Sequence, residues 1–580
     1  MNPRVPFVAF LVILVTSGSV PAKPPEQALS AGAIRKSGTV RMEISCAPEV
    51  KDDFQTALAL LHSFFYDEAR RQFVDIAGRD PGCAMAWWGA AMTWYHPLWA
   101  PPTAEDLAEG IAMVEKARAL GGKSDLERGL IAAIDAYFRS EDGPALPGPV
   151  AQSCHGPRAH GARAEAFRAA LGKLREEHPD SLEVTVFYTL ALLATAPPTD
   201  KSYTNQLMAT AILEPLFERN PDHPAIPHYI IHAYDYPSLA ARGLVAARQY
   251  GDVAPWVPHA LHMPSHIYTR LGMWGDSVEA NLASAAAARD YTGRVHGGGM
   301  SHEELHALDY AVFAYLQTAQ DRKAGEIVDR LQGPLKFLKP DFAAAYALGA
   351  IPARHALERR RWKDAAALVV QHPEAVGPFP FAAAHTEFAR AVGAARSGQA
   401  GAARTAVKRL ADLRDALKEP KFKWWIDQIE IQRLAAAGWL ARAEGQDDEA
   451  LRLLRESAAL EDRAGTHPVT PGQILPAHEQ LGDLLMDLGR PAEALVEYEK
   501  SLEAFPNRFN GHAGAGLAAE RAGKHAAARE HYARLVDLGR GGDGRREIVA
   551  NATRYLAAPS ATAQPRDEAL GAPAASSIAP

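Results

Sequence analysis

The segment ILPAHEQLGDLLMDLGRPAEALVEYEKSLEAFPNRF, residues 474–509, decides the fold of this chain. Its apolar residues return every three to four positions, which is the period of a helix with one buried face. Three of its small or aromatic residues recur 34 positions later: Gly482 as Gly516, Ala494 as Ala528, and Tyr498 as Tyr532. The small residues let two helices approach closely, and the aromatic ring fills the gap to the next pair. Because a 34-residue period is typical of a helix–turn–helix repeat, the sequence predicts stacked helical hairpins.

The rest of the chain continues this helical pattern. Ala, Leu, Glu and Arg dominate windows with apolar residues at i, i+3, i+4 and i+7, and the alternation typical of strands is rare. Near the N-terminus, residues 54–92 carry Ala69, Phe73, Pro81 and Gly89 in a similar arrangement. We therefore expect an all-α protein without a substantial sheet.

The composition argues against two classes of partner. The 580 residues carry a formal net charge of −7 with a pI of about 6.4, and no basic patch dominates, so nucleic acid is not an expected partner. After the N-terminus, no run reaches the roughly 18 apolar residues of a membrane span. We therefore expect no membrane span in the mature chain.

Residues 1–22 have the three parts of a secretory signal peptide. Arg4 supplies the positive charge, residues 7–15 form a short apolar stretch, and Val20-Pro21-Ala22 places small residues at the −3 and −1 positions of a cleavage site. We expect the mature protein to begin near Lys23, in the periplasm of a bacterium or outside the cell. The alternative is an apolar anchor that is not cleaved.

The chain has three cysteines, and an oxidising compartment permits a disulfide between two of them. Cys46 and Cys83 each lie just before a predicted helix, about one repeat apart, so we expect these two to pair. Cys154 lies in a polar, glycine-containing loop. We expect it to be a free thiol, and the alternative is an additional ligand of a bound ion.

Proline, glycine and apolar periodicity divide the chain into segments. The predicted segments are a signal peptide (1–22), a linker (23–45), N-terminal repeat-like helices (46–140), a Gly/Pro-rich loop (141–163), central His-rich helical repeats (164–335), further helical repeats (336–463), a Pro-rich insertion (464–474), C-terminal repeats (475–557) and a disordered tail (558–580).

Five segments carry a resemblance to a known family: CAMAWWGAAMTWYHPLWAPP, HPAIPHYIIHAYDYP, APWVPHALHMPSHIYTRLGMW, LHALDY and HPVTPGQILPAHEQLGDLLMDLGRP. Over roughly residues 46–540 the chain resembles tetratricopeptide repeat (TPR) proteins, and within them a secreted, His-rich bacterial group. The resemblance implies a TPR-like α-solenoid, a right-handed superhelix of helix–turn–helix repeats, with a binding role. It implies no particular reaction.

Four histidines repeat with the period of the fold. His228 and His232 form one His-x-x-x-His pair, and His262 and His266 form another pair 34 residues later. Histidines at i and i+4 share one helical face, and stacked units would place the two pairs on neighbouring helices. We therefore expect the four rings to converge. Neutral imidazoles suit Zn or Cu, so the converged rings could bind one such ion. We also expect Pro264 to interrupt the helix between His262 and His266.

Further polar residues flank these pairs. His259 falls at position 2 of its repeat, His306 falls at position 2 of the next, and Asp235 and Asp309 lie near the pairs. In TPR proteins such positions of the first helix line a concave groove, so the resemblance implies that these four residues contact a ligand. The alternative for Asp235 or Asp309 is a fourth metal ligand, or the acceptor that fixes the tautomer of a histidine.

Three interpretations of this constellation remain open. The first is an extracytoplasmic scaffold that binds a protein, peptide or small ligand in a His-lined groove that holds Zn or Cu. The second is the same groove without a metal, or histidines that only satisfy one another. The third is a metal-dependent enzyme, a hydrolase or an oxidoreductase, that uses the same histidines; the sequence assigns no catalytic residue.

One short motif indicates a more specific enzyme. His302-Glu303-Glu304-Leu305-His306 matches the H-E-x-x-H pattern, in which two histidines bind Zn and the Glu acts as a base. A five-residue match arises easily by chance in a His-rich helical chain, and no extended protease signature follows. We therefore expect His306 to belong to the groove and His302 to lie where its helix begins.

Overall fold

A computed structural model describes residues 36–98, 102–140, 161–197, 200–338, 341–418, 422–465 and 469–558. The predicted signal peptide, Cys154, most of the predicted loop and nearly all of the predicted tail lie outside the described residues. Within the described ranges the regular structure is helical and no β-sheet forms, so the predicted all-α fold is confirmed.

The first half of the chain forms short helices that follow one another closely. They are α1 Lys51–His62, α2 Tyr66–Arg79, α3 Ala84–Met92, α4 Ala104–Leu120, α5 Asp125–Arg139, α6 Gly161–Glu177, α7 Leu182–Ala194, α8 Thr204–Arg219, α9 Ala225–Tyr234, α10 Leu244–Val253, α11 Pro258–His262, α12 Pro264–Arg270 and α13 Trp274–Val295.

The second half continues in the same way. Its helices are α14 His302–Gln317, α15 Asp321–Arg330, α16 Phe342–Glu358, α17 Trp362–Ala366, α18 Pro373–Val376, α19 Pro380–Arg396, α20 Ala400–Asp415, α21 Lys423–Ala443, α22 Asp447–Ala464, α23 Ala477–Asp487, α24 Pro491–Ala504, α25 Phe509–Arg521, α26 His525–Leu538 and α27 Glu547–Ala557. Successive helices pack in pairs, such as α21 with α22 and α25 with α26, and each pair stacks on the next. The architecture is a TPR-like α-solenoid.

The packing within a pair follows the small-to-aromatic pattern of the sequence. A Cβ atom added at Gly482 would lie 2.9 Å from the ring of Tyr498, and one added at Gly516 would lie 2.6 Å from the ring of Tyr532. Real Cβ atoms do not approach other atoms so closely, so only glycine lets the two helices come together at these points.

The C-terminal units turn back onto the middle of the chain. The indole Nε1 of Trp274 donates to the carbonyl of Asn507 over 2.8 Å, and Arg508 donates to Glu358 over 2.6 Å. The backbone N–H of Phe509 donates to Gln317 over 3.0 Å. Units far apart in sequence therefore contact each other, which a straight stack of hairpins would not allow.

Parts of the predicted linker and of the predicted Pro-rich insertion pack against the helices. In the predicted linker 23–45, the described residues include Val40, Met42 and Ile44, which alternate toward the core and are buried. In the predicted insertion 464–474, Thr470 is buried and accepts a hydrogen bond from Arg354 over 2.9 Å. His467 lies outside the described residues. The first segment is thus held by its alternating apolar side chains, and the second by the buried guanidinium of Arg354. Neither segment shows the apolar period of a helix.

Candidate metal centre

Six histidines meet where three consecutive hairpins stack, and all six lie on the first helix of a hairpin. His228 and His232 lie on α9, His259 and His262 on α11, His266 on α12, and His306 on α14. The helix of the middle unit is divided at Met263, because Pro264 has no N–H to continue the backbone hydrogen bonds. The interruption predicted at Pro264 is present.

The first group, here called the first triad, consists of His228, His232 and His259. The Nε2 atom of His228 lies 3.1 Å from Nε2 of His232 and 3.1 Å from Nε2 of His259. One nitrogen from each ring lies within 4.8 Å of the others. This spacing allows all three rings to bind a single ion.

The second triad consists of His262, His266 and His306. The Nε2 atoms of His262 and His266 are 2.9 Å apart, and the ring centroids of His262 and His306 are 4.5 Å apart. These three rings also offer nitrogens within 4.8 Å of one another.

The arrangement differs in detail from the single four-histidine site that the sequence suggests. Each pair at repeat positions 5 and 9 is completed by the position-2 histidine of the next unit, so His259 joins the first pair and His306 joins the second. The stacked helices are offset so that Nε2 of His259 lies 3.1 Å from Nε2 of His228, and each pair meets a ring of the following unit in place of the equivalent pair. The triads are nevertheless adjacent, since the ring centroids of His259 and His262 are 6.5 Å apart.

The other ring nitrogen, Nδ1, is held by an oxygen atom in three of the six histidines. Nδ1 of His228 lies 2.7 Å from the backbone carbonyl of His62. Nδ1 of His262 lies 2.6 Å from Oδ1 of Asn281, and Nδ1 of His266 lies 2.8 Å from Oδ2 of Asp235. A carbonyl or a carboxylate can only accept, so in each ring Nδ1 carries the hydrogen.

The partners of these oxygens support that assignment. Asn281 donates its amide to the carbonyl of Ser277 over 2.7 Å, which leaves its Oδ1 for His262. Asp235 also accepts a hydrogen bond from Arg270 over 2.9 Å, and such a pairing keeps a buried carboxylate ionised. When both rings are neutral, the Nε2 atoms of His262 and His266 therefore present lone pairs to each other.

Burial keeps several of these rings neutral. It lowers the pKa of His228 to about 3 and that of His262 to about 3, and it lowers the pKa of His259 well below its usual value. Charge repulsion between neighbouring histidines acts in the same direction on His259 and His262. A neutral imidazole is the form that binds metal ions.

The predicted groove residues lie mainly in the interior. His306 is 6% exposed and His259 is partly buried, while Asp235 and Asp309 are buried. Asp309 does not join either triad; instead its Oδ1 accepts a hydrogen bond from Arg354 over 3.1 Å. Its carboxyl pKa is raised because burial outweighs the attraction of that guanidinium.

Aromatic rings enclose both triads. The ring of Tyr250 stacks on His228 with centroids 5.0 Å apart, and the ring of Phe64 lies 4.4 Å from that of His228. The ring of Tyr310 packs against His262 and His266 with centroids 4.9 and 5.1 Å away. Phe64 has a φ of 55°, a conformation that is rare for a bulky residue and that persists only where its surroundings impose it.

The H-E-x-x-H motif does not bring its two histidines to one site. His302 lies where α14 begins, and its Nδ1 is 3.5 Å from Oδ2 of Asp341 and 3.6 Å from Oε2 of Glu303. His306 belongs to the second triad. This arrangement is unlike the paired ligands of a zinc protease.

Sequence reasoning missed a third buried cluster, formed by His62, Glu183 and His223. Glu183 lies 2.8 Å from Nε2 of His62 and 2.9 Å from Nε2 of His223. Burial acts to raise the pKa of Glu183, but His223 and His62 together outweigh it, so the pKa is lowered. The three residues are far apart in sequence, and the available signal is a Glu within the apolar helix LEVTVFYTLALLA.

Cys46 and Cys83 are joined by a disulfide, with Cα atoms 4.8 Å apart. The bond ties the segment before α1 to the beginning of α3. Asp80 accepts a hydrogen bond from the backbone N–H of Ala47 over 2.7 Å beside it.

The chain is similar in structure to solved helical-repeat proteins, among them the two that follow. A solved structure of a monomeric IFIT1 mutant with m7Gppp-AAAA aligns with 79% of this chain and 90% of its own, at 12% identity and a TM-score of 0.33. Yeast Tom70 aligns with 88% of this chain and 89% of its own, at 10% identity and a TM-score of 0.27. Both are helical-repeat proteins of the TPR type. These likenesses are too weak to bear on function.

No family model and no curated protein matches the sequence. Among the described residues, no helix is long and apolar enough to span a membrane. The assignment of the chain as a TPR-like solenoid therefore rests on its own helical hairpins and their spacing.

Proposed function

We propose that this protein is an extracytoplasmic helical-repeat scaffold that binds transition-metal ions, Zn or Cu, in its two histidine triads. The observation that carries the proposal is the contact between His262 and His266. Their Nε2 atoms are 2.9 Å apart, and each ring has its hydrogen on Nδ1. Two lone pairs at this distance repel each other unless a cation lies between them.

That cation is either a proton or a metal ion. A proton on His262 would place an imidazolium in the interior, and burial opposes this because it lowers the pKa of that ring to about 3. Nitrogens that share a metal at about 2.0–2.1 Å lie roughly 3.3–3.6 Å apart, a few tenths of an ångström more than the Nε2 contacts seen here. Small ring movements would therefore complete the site.

The surroundings of the rings support the same proposal. Metal-binding histidines usually donate their other N–H to a carbonyl or carboxylate, which fixes the tautomer and the ring orientation. His228, His262 and His266 have such partners in His62, Asn281 and Asp235.

The compartment in the proposal rests on two features. Residues 1–22 have the pattern of a signal peptide, and Cys46 is joined to Cys83. Disulfides persist mainly outside the cytoplasm.

The second candidate function is a metal-dependent hydrolase or oxidoreductase. One observation favours it: each triad supplies three ligands, and catalytic metal sites keep a further position open for water or substrate. A protein, peptide or small ligand that coordinates the ion would occupy the same open position in a pure scaffold.

Metal binding can be tested on the purified full chain. After treatment with a chelator, the protein is dialysed against Zn(II), Cu(II) or Cu(I), and bound metal is measured by inductively coupled plasma mass spectrometry. We expect up to two ions per chain. We expect His232→Ala and His266→Ala each to remove one of them.

The matched control is His512→Ala. His512 and His531 form another close pair, with Nδ1 atoms 3.2 Å apart, away from both triads. Its substitution should leave the metal content unchanged. A wild-type protein that stays metal-free at saturating Zn and Cu would overturn the proposal and favour a purely polar core.

A further inference from the structure

We infer that the two triads are built for a pair of cuprous ions, Cu(I), in preference to Zn(II) or another divalent ion. This inference rests on the proposed metal-binding function and names the ion that the triads bind. It follows from the charge of the ligands, from the charges around them, and from the distance between the triads.

The ligands of both triads are neutral. Each triad consists of three imidazoles, with no carboxylate or thiolate among its members, whereas the group formed by His62, Glu183 and His223 includes a carboxylate. Sites for divalent ions commonly include anionic ligands or a bound hydroxide, which offset the charge of the ion. Three imidazoles leave the full charge of the ion in place.

The two aspartates that the sequence predicts beside the histidines already have cationic partners. Asp235 pairs with Arg270 over 2.9 Å, and Asp309 pairs with Arg354 over 3.1 Å. All four residues are buried. Each pair is nearly neutral as a unit, so neither carboxylate offers a full negative charge to an incoming ion.

One further carboxylate lies behind the first triad. Glu183 binds the imidazoles of His62 and His223, and the backbone carbonyl of His62 in turn accepts from His228. Its single negative charge could offset part of the charge of two monovalent ions. It could offset a much smaller share of the four positive charges that two divalent ions bring.

Burial of the triads increases the preference for monovalent over divalent ions. The cost of removing an ion from water rises with the square of its charge, so a divalent ion costs about four times as much as a monovalent ion of similar size. The repulsion between two neighbouring ions also rises with the product of their charges. The triads adjoin each other through His259 and His262, whose ring centroids are 6.5 Å apart.

The number of ligands favours the same ion. Cu(II) prefers four or more ligands in a tetragonal arrangement, and structural Zn(II) sites are tetrahedral. Cu(I) has a filled d shell and is satisfied by two or three ligands, which imidazoles provide. A triad drawn from two neighbouring helices matches that requirement without a fourth group.

The test is a competition under anaerobic conditions on the full chain. Cu(I) is supplied with the colorimetric chelator bicinchoninate, and Zn(II) with a fluorescent chelator, so both dissociation constants are measured. We expect two Cu(I) per chain and a Zn(II) affinity at least 100-fold weaker. X-ray absorption should give an edge typical of three-coordinate Cu(I) with nitrogen ligands.

Two variants test the assignment of ions to triads. His232→Ala and His306→Ala should each reduce the stoichiometry from two Cu(I) to one, and the His512→Ala control should keep two. Circular dichroism of each variant checks that the helices remain. A loss of both ions in either single variant, with the helical signal intact, would argue against two separate triads.

A third variant tests the role of charge. Arg270→Gln leaves Asp235 without its cationic partner, so we expect Zn(II) affinity to rise relative to Cu(I) affinity by about tenfold or more. An unchanged ratio would contradict the charge argument even if the wild type preferred Cu(I).

The outcomes separate this inference from the proposed function. Zn(II) binding that equals or exceeds Cu(I) binding would overturn the preference for Cu(I) and leave the metal-binding function standing. Absence of binding by any of these ions would overturn both. Protein loaded with Cu(II) that keeps its Cu(II) electron paramagnetic resonance signal after treatment with excess ascorbate under nitrogen would also contradict a cuprous site.

Discussion

The backbone carbonyl of His62 accepts a hydrogen bond from Nδ1 of His228 over 2.7 Å, across 166 residues of sequence. His62 ends α1, in the first hairpin, whereas His228 lies on the first helix of a central unit. The side chain of His62 is held in turn by Glu183 and Tyr229. The N-terminal hairpin therefore orients a member of the first triad without contributing a ring to it.

The first prediction concerns Glu183. Replacement by alanine leaves the buried imidazoles of His62 and His223 without their shared acceptor, so Glu183→Ala should lower the free energy of unfolding by roughly 3–5 kcal/mol. Glu183→Gln should cost less because an amide oxygen can still accept. Urea denaturation monitored by circular dichroism measures both. Equal effects of the two variants would argue against a role for the hydrogen bonds.

The second prediction concerns Asp235, which holds Nδ1 of His266. Asp235→Asn should weaken metal binding by about 10–100-fold, because the amide is a poorer acceptor and lets the ring turn. Isothermal titration calorimetry with the preferred ion measures the change. Asp483→Asn is the control, since Asp483 pairs with Tyr498 and Arg360 in the C-terminal units. A similar loss in both variants would indicate a general effect on folding.

The third prediction is a pH dependence that originates at Glu461. Burial raises the pKa of its carboxyl to about 8, and both oxygens accept from the backbone N–H of Ala477. Because the folded pKa exceeds the unfolded value, the folded state binds more protons between them. Its contribution to stability is fully present below about pH 4.5 and is lost as pH rises toward about 8.

The variant Glu461→Gln isolates this effect. The difference in unfolding free energy between wild type and variant should change by roughly 3–5 kcal/mol between pH 5 and pH 9, in the direction that makes the wild type relatively weaker at high pH. Urea titrations at several pH values provide the measurement. Parallel pH profiles for the two proteins would mean that Glu461 titrates normally.

The fourth prediction tests the packing of the repeat. Gly516→Ala places a Cβ atom 2.6 Å from the ring of Tyr532, so we expect a destabilisation of about 1–3 kcal/mol. Gly401→Ala is the matched control, because a Cβ atom there has nothing within 4 Å. The control should change stability by less than about 1 kcal/mol and in the stabilising direction. Thermal unfolding compares the two, and similar melting temperatures would contradict the packing argument.

The fold could be predicted from local pattern because a repeat uses the same contacts many times. The relation of Gly516 to Tyr532 repeats that of Gly482 to Tyr498, so one unit describes the next. The grouping of the six histidines was harder to predict. It depends on how far each hairpin is offset from its neighbour, which decides that His259 meets His228 rather than His262.

Contacts outside the repeat left little trace in the sequence. His62, Glu183 and His223 have no common period, and each looks like an isolated polar residue until the helices are stacked. The return of Arg508 to Glu358 depends on the accumulated curvature of many units, to which each unit adds a small rotation. The residue pattern within one short stretch of sequence does not show the sum of these rotations, so the contact between Arg508 and Glu358 could not be predicted from it.

The return of the C-terminal units has a consequence for how the chain matures. Glu358 is fully buried in the finished molecule, yet the guanidinium that compensates it, Arg508, lies 150 residues later. A growing chain that ends before Arg508 would hold this carboxylate without its cationic partner. The burial of Glu358 and the docking of the C-terminal units are therefore two sides of one step, so the middle of the solenoid reaches its final packing only together with its end.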